Sequence, residues 1–276
     1  KNPIPKNESR WGSFIILRYE TDLKLKRILA ELEGMKRVTP GSPEQMIRDF
    51  YRSGMDMKRR NALGARPLDL LRAKVRAVKD AEALEKLIAE LHILGVDAPF
   101  GGGIDQDSKD STRYILHFYQ SGLGMPDRDY YLKDDAESKR VRDAYLPHIE
   151  AIFRLGGYGA KEAAQARATV MKIETMLAKA SMTKEDRRDA DKTYHKKSLK
   201  DLTLLAPGFA WKKYLERMGA KDVKHIIVMQ PKFFTAVARM MSTVSLEEWK
   251  TYLDWNVLNE YAPYLSHAFV RRDFAF

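Results

Sequence analysis

Apolar residues that recur at spacings of three and four dominate the chain, and this pattern predicts helices along most of its length. The first such run includes Leu25, Ile28 and Leu32 and stops at Gly34. Ser42-Pro43 then predicts the start of a second helix, because serine is a favoured N-cap residue and proline is favoured at the first helical position. Further helices are predicted after Arg66-Pro67 and over residues 84–94, 141–155, 160–180, 199–205, 209–218, 231–241 and 246–265.

The middle of the chain carries a different pattern. Residues 99–110 are rich in glycine and aspartate and are typical of a loop. Residues 114–119 are aromatic and β-branched, so they predict a strand that pairs with residues 100–104 in a small β-hairpin. Residues 226–228 are too few for more than a strand fragment or a buried turn. Since no repeat and no linker interrupts the chain, we expect one mainly α, multi-helix domain over residues 1–276 with one small β-hairpin.

Composition and charge narrow the class of protein. With 44% hydrophobic residues, the 276-residue chain can bury a sizeable core, which excludes a disordered protein. The formal net charge of +11 makes nucleic acid the first partner to consider. The basic residues are nevertheless mixed with acids, as in residues 184–200, and this mixture favours a solvated surface. No nucleic-acid partner is therefore expected, although a stand-alone basic binding module for nucleic acid or an acidic partner stays open as the alternative.

Two absences limit the chemistry and the location. The chain has no cysteine, which excludes disulfides, thiolate zinc sites and cysteine nucleophiles but leaves the compartment open. No stretch reaches the roughly 18 apolar residues of a membrane span, and the first residues do not have the pattern of a signal peptide. We therefore expect a soluble chain.

No catalytic or metal-binding motif emerges from residue types and spacing. The six histidines include no pair on one helical turn, as a zinc protease requires. Asp105-x-Asp107 begins like a calcium loop, but Lys109 stands where a ligand is needed. Gly101-Gly102-Gly103 lacks the ending of a phosphate-binding loop, and Ser13 is not in a nucleophile elbow. The residues alone predict neither catalytic residues nor metal ligands.

One segment nevertheless resembles a known family. Gly122-Leu123-Gly124-Met125-Pro126-Asp127-Arg128-Asp129-Tyr130-Tyr131-Leu132 is similar to the Gly-Leu-Gly-Leu-Pro-x-Arg-Asp-Tyr-Tyr segment of the neprilysin/endothelin-converting-enzyme family of zinc metallopeptidases. Other segments resemble the family in the same order along the chain. These are residues 2–5, 9–14, 173–178, 207–211, 229–234 and 252–258.

The resemblance implies that the chain is the N-terminal helical cap domain of such a peptidase. In the family, a separate C-terminal domain carries H-E-x-x-H and binds zinc, and neither that motif nor a metal ligand set occurs here. Together with the apolar ending at Phe276, this predicts a domain or fragment that is inactive alone, although its parent hydrolyses short peptides. The expected partners are the missing catalytic domain and the peptide substrates, and an exposed apolar interface also offers a route to self-association. The resemblance leaves open an extracytoplasmic parent and a catalytically dead scaffold.

Arg10 is the single site residue that the resemblance supplies. It matches the arginine that, in the family, binds the free C-terminal carboxylate of a peptide. A guanidinium suits this role because it donates two parallel hydrogen bonds to one carboxylate. Arg10 paired with a neighbouring acid is the competing interpretation. This chain also departs from some family members at Ile15, where they have an acid.

Overall fold

The computed structural model describes residues 3–276, so Lys1 and Asn2, the first residue of the matched segment 2–5, lie outside it. The chain divides into two compact units, one that ends at Arg60 and one that extends from Asn61 to Phe276. Each unit is described by itself.

The first unit consists of helices. Helix α1 covers Ser13–Gly34 and α2 covers Pro43–Met55, as the sequence predicts, and α3 (Met57–Leu63) follows. The Ser42 hydroxyl accepts the backbone N–H of Gln45 at 3.3 Å, which confirms the predicted N-cap. An ion pair of 2.7 Å between Glu33 and Arg52 connects α1 with α2. Helix α3, whose last three residues belong to the second unit, was not predicted, because its apolar residues do not recur at spacings of three and four.

The second unit contains the other helices and the sheet. Its helices are α4 (Asp69–Arg76), α5 (Ala81–Ile93), α6 (Asp129–Leu132), α7 (Ala136–Leu155), α8 (Ala160–Ala180), α9 (Ala190–Thr193), α10 (Leu199–Leu205), α11 (Trp211–Arg217), α12 (Pro231–Thr243), α13 (Leu246–Tyr261) and α14 (His267–Phe274). Ser245 and Glu248 begin α13 with a capping box, in which each side chain accepts the backbone N–H of the other residue. The helix predicted over residues 246–265 ends at Tyr261, and a 3₁₀ turn over Ala262–Tyr264 separates it from α14. The mainly α prediction is confirmed.

The predicted hairpin is half of a four-stranded sheet with the order β1-β2-β4-β3. Strands β1 (Phe100–Asp107) and β2 (Asp110–Gln120) pair antiparallel, with Gly103 opposite His117. Strand β3 covers Lys196–Ser198 and β4 covers His225–Val228. Strand β4 runs parallel to β2 and antiparallel to β3, so residues 226–228 form a buried strand rather than a turn. Long-range pairing supplies this order, and four residues alone cannot specify it.

A cluster of aromatic side chains joins the sheet to the helices. Phe100 and Phe118 on the hairpin pack against Trp211, Tyr214 and Phe234, with ring centroids 5.4–5.9 Å apart. All five side chains are fully buried. Since each aromatic side chain buries roughly 150–250 Å², this cluster is a large contribution to the stability of the second unit.

We predict that Phe118→Ala lowers the free energy of unfolding by about 3–5 kcal/mol, because it removes a buried ring and leaves a cavity among four others. The matched control is Tyr114→Ala on the same strand, where the side chain is 78% exposed and the expected loss is under about 1 kcal/mol. Urea denaturation followed by circular dichroism measures both. Equal losses in the two variants would contradict the placement of Phe118 in the core.

Candidate functional site

The segment that carries Arg10 is held against α1 by side chains on either side of it. Tyr19 donates its hydroxyl hydrogen to the Glu8 carboxylate at 2.8 Å, and Arg18 forms an ion pair with the same carboxylate. On the other side, the Trp11 ring packs on Tyr19 with centroids 5.7 Å apart. The backbone at residue 10 is therefore fixed between two anchored neighbours.

Arg10 itself is exposed. No hydrogen bond or ion pair joins its guanidinium to any side chain or backbone group in residues 3–276. Glu8, the acid nearest in sequence, is already bound by Arg18 and Tyr19. The competing interpretation, in which Arg10 pairs with a neighbouring acid, thus finds no support in the described part of the chain.

The segment that resembles the family motif lies at the edge of the core of the second unit, with Gly122, Met125 and Tyr131 buried. The Gly122 carbonyl accepts the Tyr252 hydroxyl at 2.7 Å, and the Met125 backbone N–H donates to Tyr131 at 2.9 Å. Gly122 has a φ of 83°, and a Cβ there would lie 2.3 Å from the Tyr252 oxygen. A Cβ on Gly124 would lie 1.9 Å from the Tyr145 oxygen. Both glycines are therefore required by close packing rather than by a ligand.

A buried carboxylate organises the residues around this segment. Glu174 on α8 is 0% exposed and accepts hydrogen bonds from Tyr131 at 2.7 Å, Tyr145 at 2.9 Å and Trp255 at 3.1 Å. We call these four residues the carboxylate cluster. Burial raises the pKa of Glu174 to about 7, although the donated hydrogen bonds of Tyr131, Tyr145, Trp255 and the Gly124 backbone act in the opposite direction. Sequence reasoning missed this cluster, because a glutamate in a helix is usually on a solvated face.

A second buried charge is paired and also structural. The Arg72 guanidinium binds Asp254 through two parallel hydrogen bonds of 2.8 Å, and Tyr158 donates to the same carboxylate at 2.9 Å. Arg72 also donates to the Gly156 carbonyl at 2.8 Å. With all partners satisfied, this group offers no free functional atom to a substrate.

The candidate calcium residues are engaged by protein groups. The Asp107 carboxylate is 1% exposed, and it accepts hydrogen bonds from Lys196 at 2.8 Å and from Tyr194 at 2.9 Å. The hydrogen bond from Lys196 is the largest of the effects that lower the pKa of Asp107 to about 2. This carboxylate is therefore a permanently charged partner of Lys196 on the sheet.

The histidines are dispersed in the structure. His92 is buried and shares a hydrogen bond of 2.6 Å with Tyr214, and His148 contacts Asn259 at 3.1 Å. His225 and His267 are exposed. Among residues 3–276, no three histidine, aspartate or glutamate side chains come together as a metal site. In the same residues, no helix has the length and apolar content that would cross a membrane.

Comparison with known proteins decides the family. The family model described as Peptidase family M13 matches residues 1–276. The chain belongs to peptidase family M13. The resemblance to the N-terminal domain of the neprilysin/endothelin-converting-enzyme family is confirmed.

Individual M13 relatives are longer than this chain. It is 28% identical to endothelin-converting enzyme 1 of Cavia porcellus over 283 residues, which cover 99% of the chain and 37% of that protein. A crystal structure of Mycobacterium tuberculosis zinc metalloprotease ZMP1 in complex with inhibitor has a TM-score of 0.90 and 30% identity, and the match covers 100% of this chain and 42% of that one. PepO from Lactobacillus rhamnosis has a TM-score of 0.75 at 18% identity and shares the fold. The chain thus spans less than half the length of each of these three proteins.

We predict that Glu174 makes this M13 domain less stable as the pH rises from 4.5 to 7. Its folded pKa of about 7 lies above the ordinary 4.5, so the folded state binds the proton more tightly than the unfolded chain does. The stabilisation is complete below pH 4.5 and is lost as the pH rises through 7, with a total of about 3 kcal/mol. Glu174→Gln should remove this part of the pH dependence, as measured by urea denaturation across that range.

The difference between the variant and the wild type is the informative quantity. Burial lowers the pKa of His92 to about 4 and also lowers that of His148, and these shifts contribute a slope of opposite sign that both proteins share. Glu247→Gln, which changes an exposed glutamate on α13, is the matched control and should keep the wild-type slope. If Glu174→Gln and wild type have parallel stability profiles, the carboxylate does not titrate as described.

Proposed function

We propose that this chain is the N-terminal domain of a zinc metallopeptidase that hydrolyses short peptides, and that it forms one wall of the cavity that holds the substrate. The match of the M13 family model to residues 1–276 is the observation that carries this proposal. The shares of 37% and 42% of the relatives' lengths support a larger protein, in which the catalytic zinc site lies on other polypeptide.

The donor groups of the described residues do not fit a catalytic zinc. Such a site needs three protein ligands around one point, and residues 3–276 contain no group of that kind. We therefore assign no zinc-dependent step to this chain. Its proposed contribution is to bind and enclose the peptide.

The first unit supports the proposed contact with a catalytic domain. More than half of the large apolar side chains that are exposed in residues 3–276 lie before residue 61. Phe14 is 89% exposed, Phe50 is 82% exposed and Met46 is 67% exposed. Their concentration in the first unit supports an interface there. The partner that we propose is the catalytic domain of the same polypeptide.

Arg10 is the residue that we propose to bind substrate. The anchors at Glu8 and Trp11 fix its backbone, while its guanidinium remains exposed and unpaired within residues 3–276. A peptide's C-terminal carboxylate would accept two parallel hydrogen bonds from it. Because Ile15 is apolar, it cannot orient Arg10, so the orientation depends on the packing around Glu8 and Trp11.

Peptidase activity should require polypeptide beyond these residues. We predict that the purified 276-residue chain with added zinc does not cleave a fluorogenic peptide, whereas the full-length protein encoded by its gene does. Reading the downstream codons of the gene for H-E-x-x-H tests, without an assay, whether the zinc motif lies beyond these residues. Zinc-dependent cleavage by the 276-residue chain, or the absence of a zinc motif from the whole gene, would contradict the proposal.

Arg10 is tested in the full-length enzyme with two versions of one peptide, with a free and with an amidated C-terminus. We predict that Arg10→Ala lowers kcat/KM for the free-carboxylate peptide by roughly 10- to 100-fold, because a charge-assisted hydrogen bond is lost, and leaves the amidated peptide nearly unchanged. Arg10→Lys should restore only part of the loss. Arg27→Ala, an exposed arginine on α1, is the control. An equal loss of kcat/KM for both peptides would show that Arg10 does not bind the C-terminal carboxylate.

A further inference from the structure

A cavity of about 710 Å³ in the second unit has five cations among its fifteen lining residues. It lies beside the C-terminal end of α8 and the start of α12, and its walls include Arg128, Lys179, Lys192, Lys197 and Lys232. Asp186 is the one carboxylate among the lining residues, and it is already paired with Lys192. The remaining positive charge has no counter-charge within the cavity wall.

The other cations of the wall are available to a ligand. Lys179, Lys197 and Lys232 form no ion pair within residues 3–276. The Arg128 Nε donates to the Ala178 carbonyl at 3.1 Å, which fixes the guanidinium at the end of α8. Its two terminal nitrogens make no hydrogen bond to the described residues. A concave wall of this kind focuses the electrostatic potential and concentrates anions.

One neutral side chain of the wall also presents an unpaired donor. Gln230 is 2% exposed, and its Oε1 accepts the Gln120 backbone N–H at 2.9 Å. This bond fixes the amide orientation, so Nε2 is a buried donor without a partner. The Nδ1 of His195, another wall residue, is likewise without a partner. Helix α12 begins at Pro231, which has no N–H, and the N–H groups of Phe233 and Phe234 both donate to the Gln230 carbonyl. The backbone N–H of Lys232 is therefore the donor that this helix start leaves without a partner among residues 3–276.

We propose that this cavity binds a multiply charged oxyanion of the phosphate class. Lysines are point charges that approach a ligand from several directions, which suits the oxygens of a tetrahedral group better than one planar carboxylate. A single carboxylate would also leave most of the cations unpaired. The volume is large enough to admit a diphosphate as well as a single phosphate. This site goes beyond the proposed peptidase function and does not depend on it.

Isothermal titration of the 276-residue chain with inorganic pyrophosphate, at constant ionic strength set by sodium chloride, tests the site. Saturable binding is expected. When the titration is repeated at a higher sodium chloride concentration, the affinity should fall. Citrate is the comparison ligand, since it carries several charges on planar carboxylates. Citrate binding as tight as pyrophosphate, or no pyrophosphate binding beyond a chloride control, would overturn the proposal.

Variants locate the binding. The double variant Lys197→Ala with Lys232→Ala should weaken pyrophosphate binding by at least roughly tenfold, since two charge-assisted contacts are lost. Lys200→Ala with Lys212→Ala removes the same charge from exposed positions outside the cavity and should change the affinity less than about twofold. Lys232→Glu, at an exposed position that should not disturb folding, reverses one charge and should abolish binding. Equal effects of the two double variants, or tight binding by Lys232→Glu, would show that the cavity is not the site.

Discussion

The buried carboxylate of Glu174 is the interaction on which the arrangement of the second unit depends. Its three side-chain donors come from α6, α7 and α13, and the acceptor itself lies on α8. A carboxylate without these donors would cost several kcal/mol in the core, so the four helices must be correctly placed together. The cost of leaving any donor out makes this packing specific in a way that apolar contacts alone do not.

The carboxylate cluster and the Arg72–Asp254 pair both include a residue of α13. Trp255 and Asp254 are neighbours on α13, and one binds Glu174 while the other binds Arg72 on α4. Tyr252, one turn earlier, donates to the Gly122 carbonyl. Helix α13 therefore connects α4, α8 and the segment around Gly122 through three different polar groups. The apolar periodicity of α13 does not show these bonds, because they are made by Asp254 and by the polar atoms of two aromatic side chains among its buried residues.

The sequence predicted a helix well where the apolar periodicity was long or where a favoured N-cap residue marked the start. Helix α8 has the predicted bounds, and Ser42-Pro43 begins α2 as expected. Helix α3 escaped prediction because its residues show no apolar recurrence at three and four, and α14 was not separated from the chain end. The pairing of β4 with β2 and β3 also escaped, because it joins segments that are more than 100 residues apart along the chain or separated by α10 and α11. Such contacts exist only after the chain has folded.

The residues of the candidate site also differ in whether the sequence could predict them. Arg10 was found through a resemblance, and the structure adds that its guanidinium is unpaired within residues 3–276. Glu174 and the cationic cavity had no comparable signal. A glutamate and several lysines on helices are typical of solvated surface, and only the packing of α6, α8, α12 and α13 shows otherwise.

The resemblance to M13 proteins identifies the fold more directly than it identifies the chemistry. Several groups of the matched motif over residues 122–132 make internal contacts: Gly122 with Tyr252, Met125 with Tyr131, and the Arg128 Nε with Ala178. A side chain whose hydrogen bonds are all satisfied inside the protein has nothing left to offer a substrate. Arg10 and the terminal nitrogens of Arg128 are the opposite case, since their backbones are fixed and their charged groups lack partners in the described chain. The Arg128 guanidinium, held through its Nε, has already lost part of its conformational freedom, so it binds an anion at a lower entropic cost, whereas at Arg10 only the backbone is held. Function in this domain is therefore to be sought at the cations that its own fold leaves unpaired, and not at the motif glycines and tyrosines that build its core.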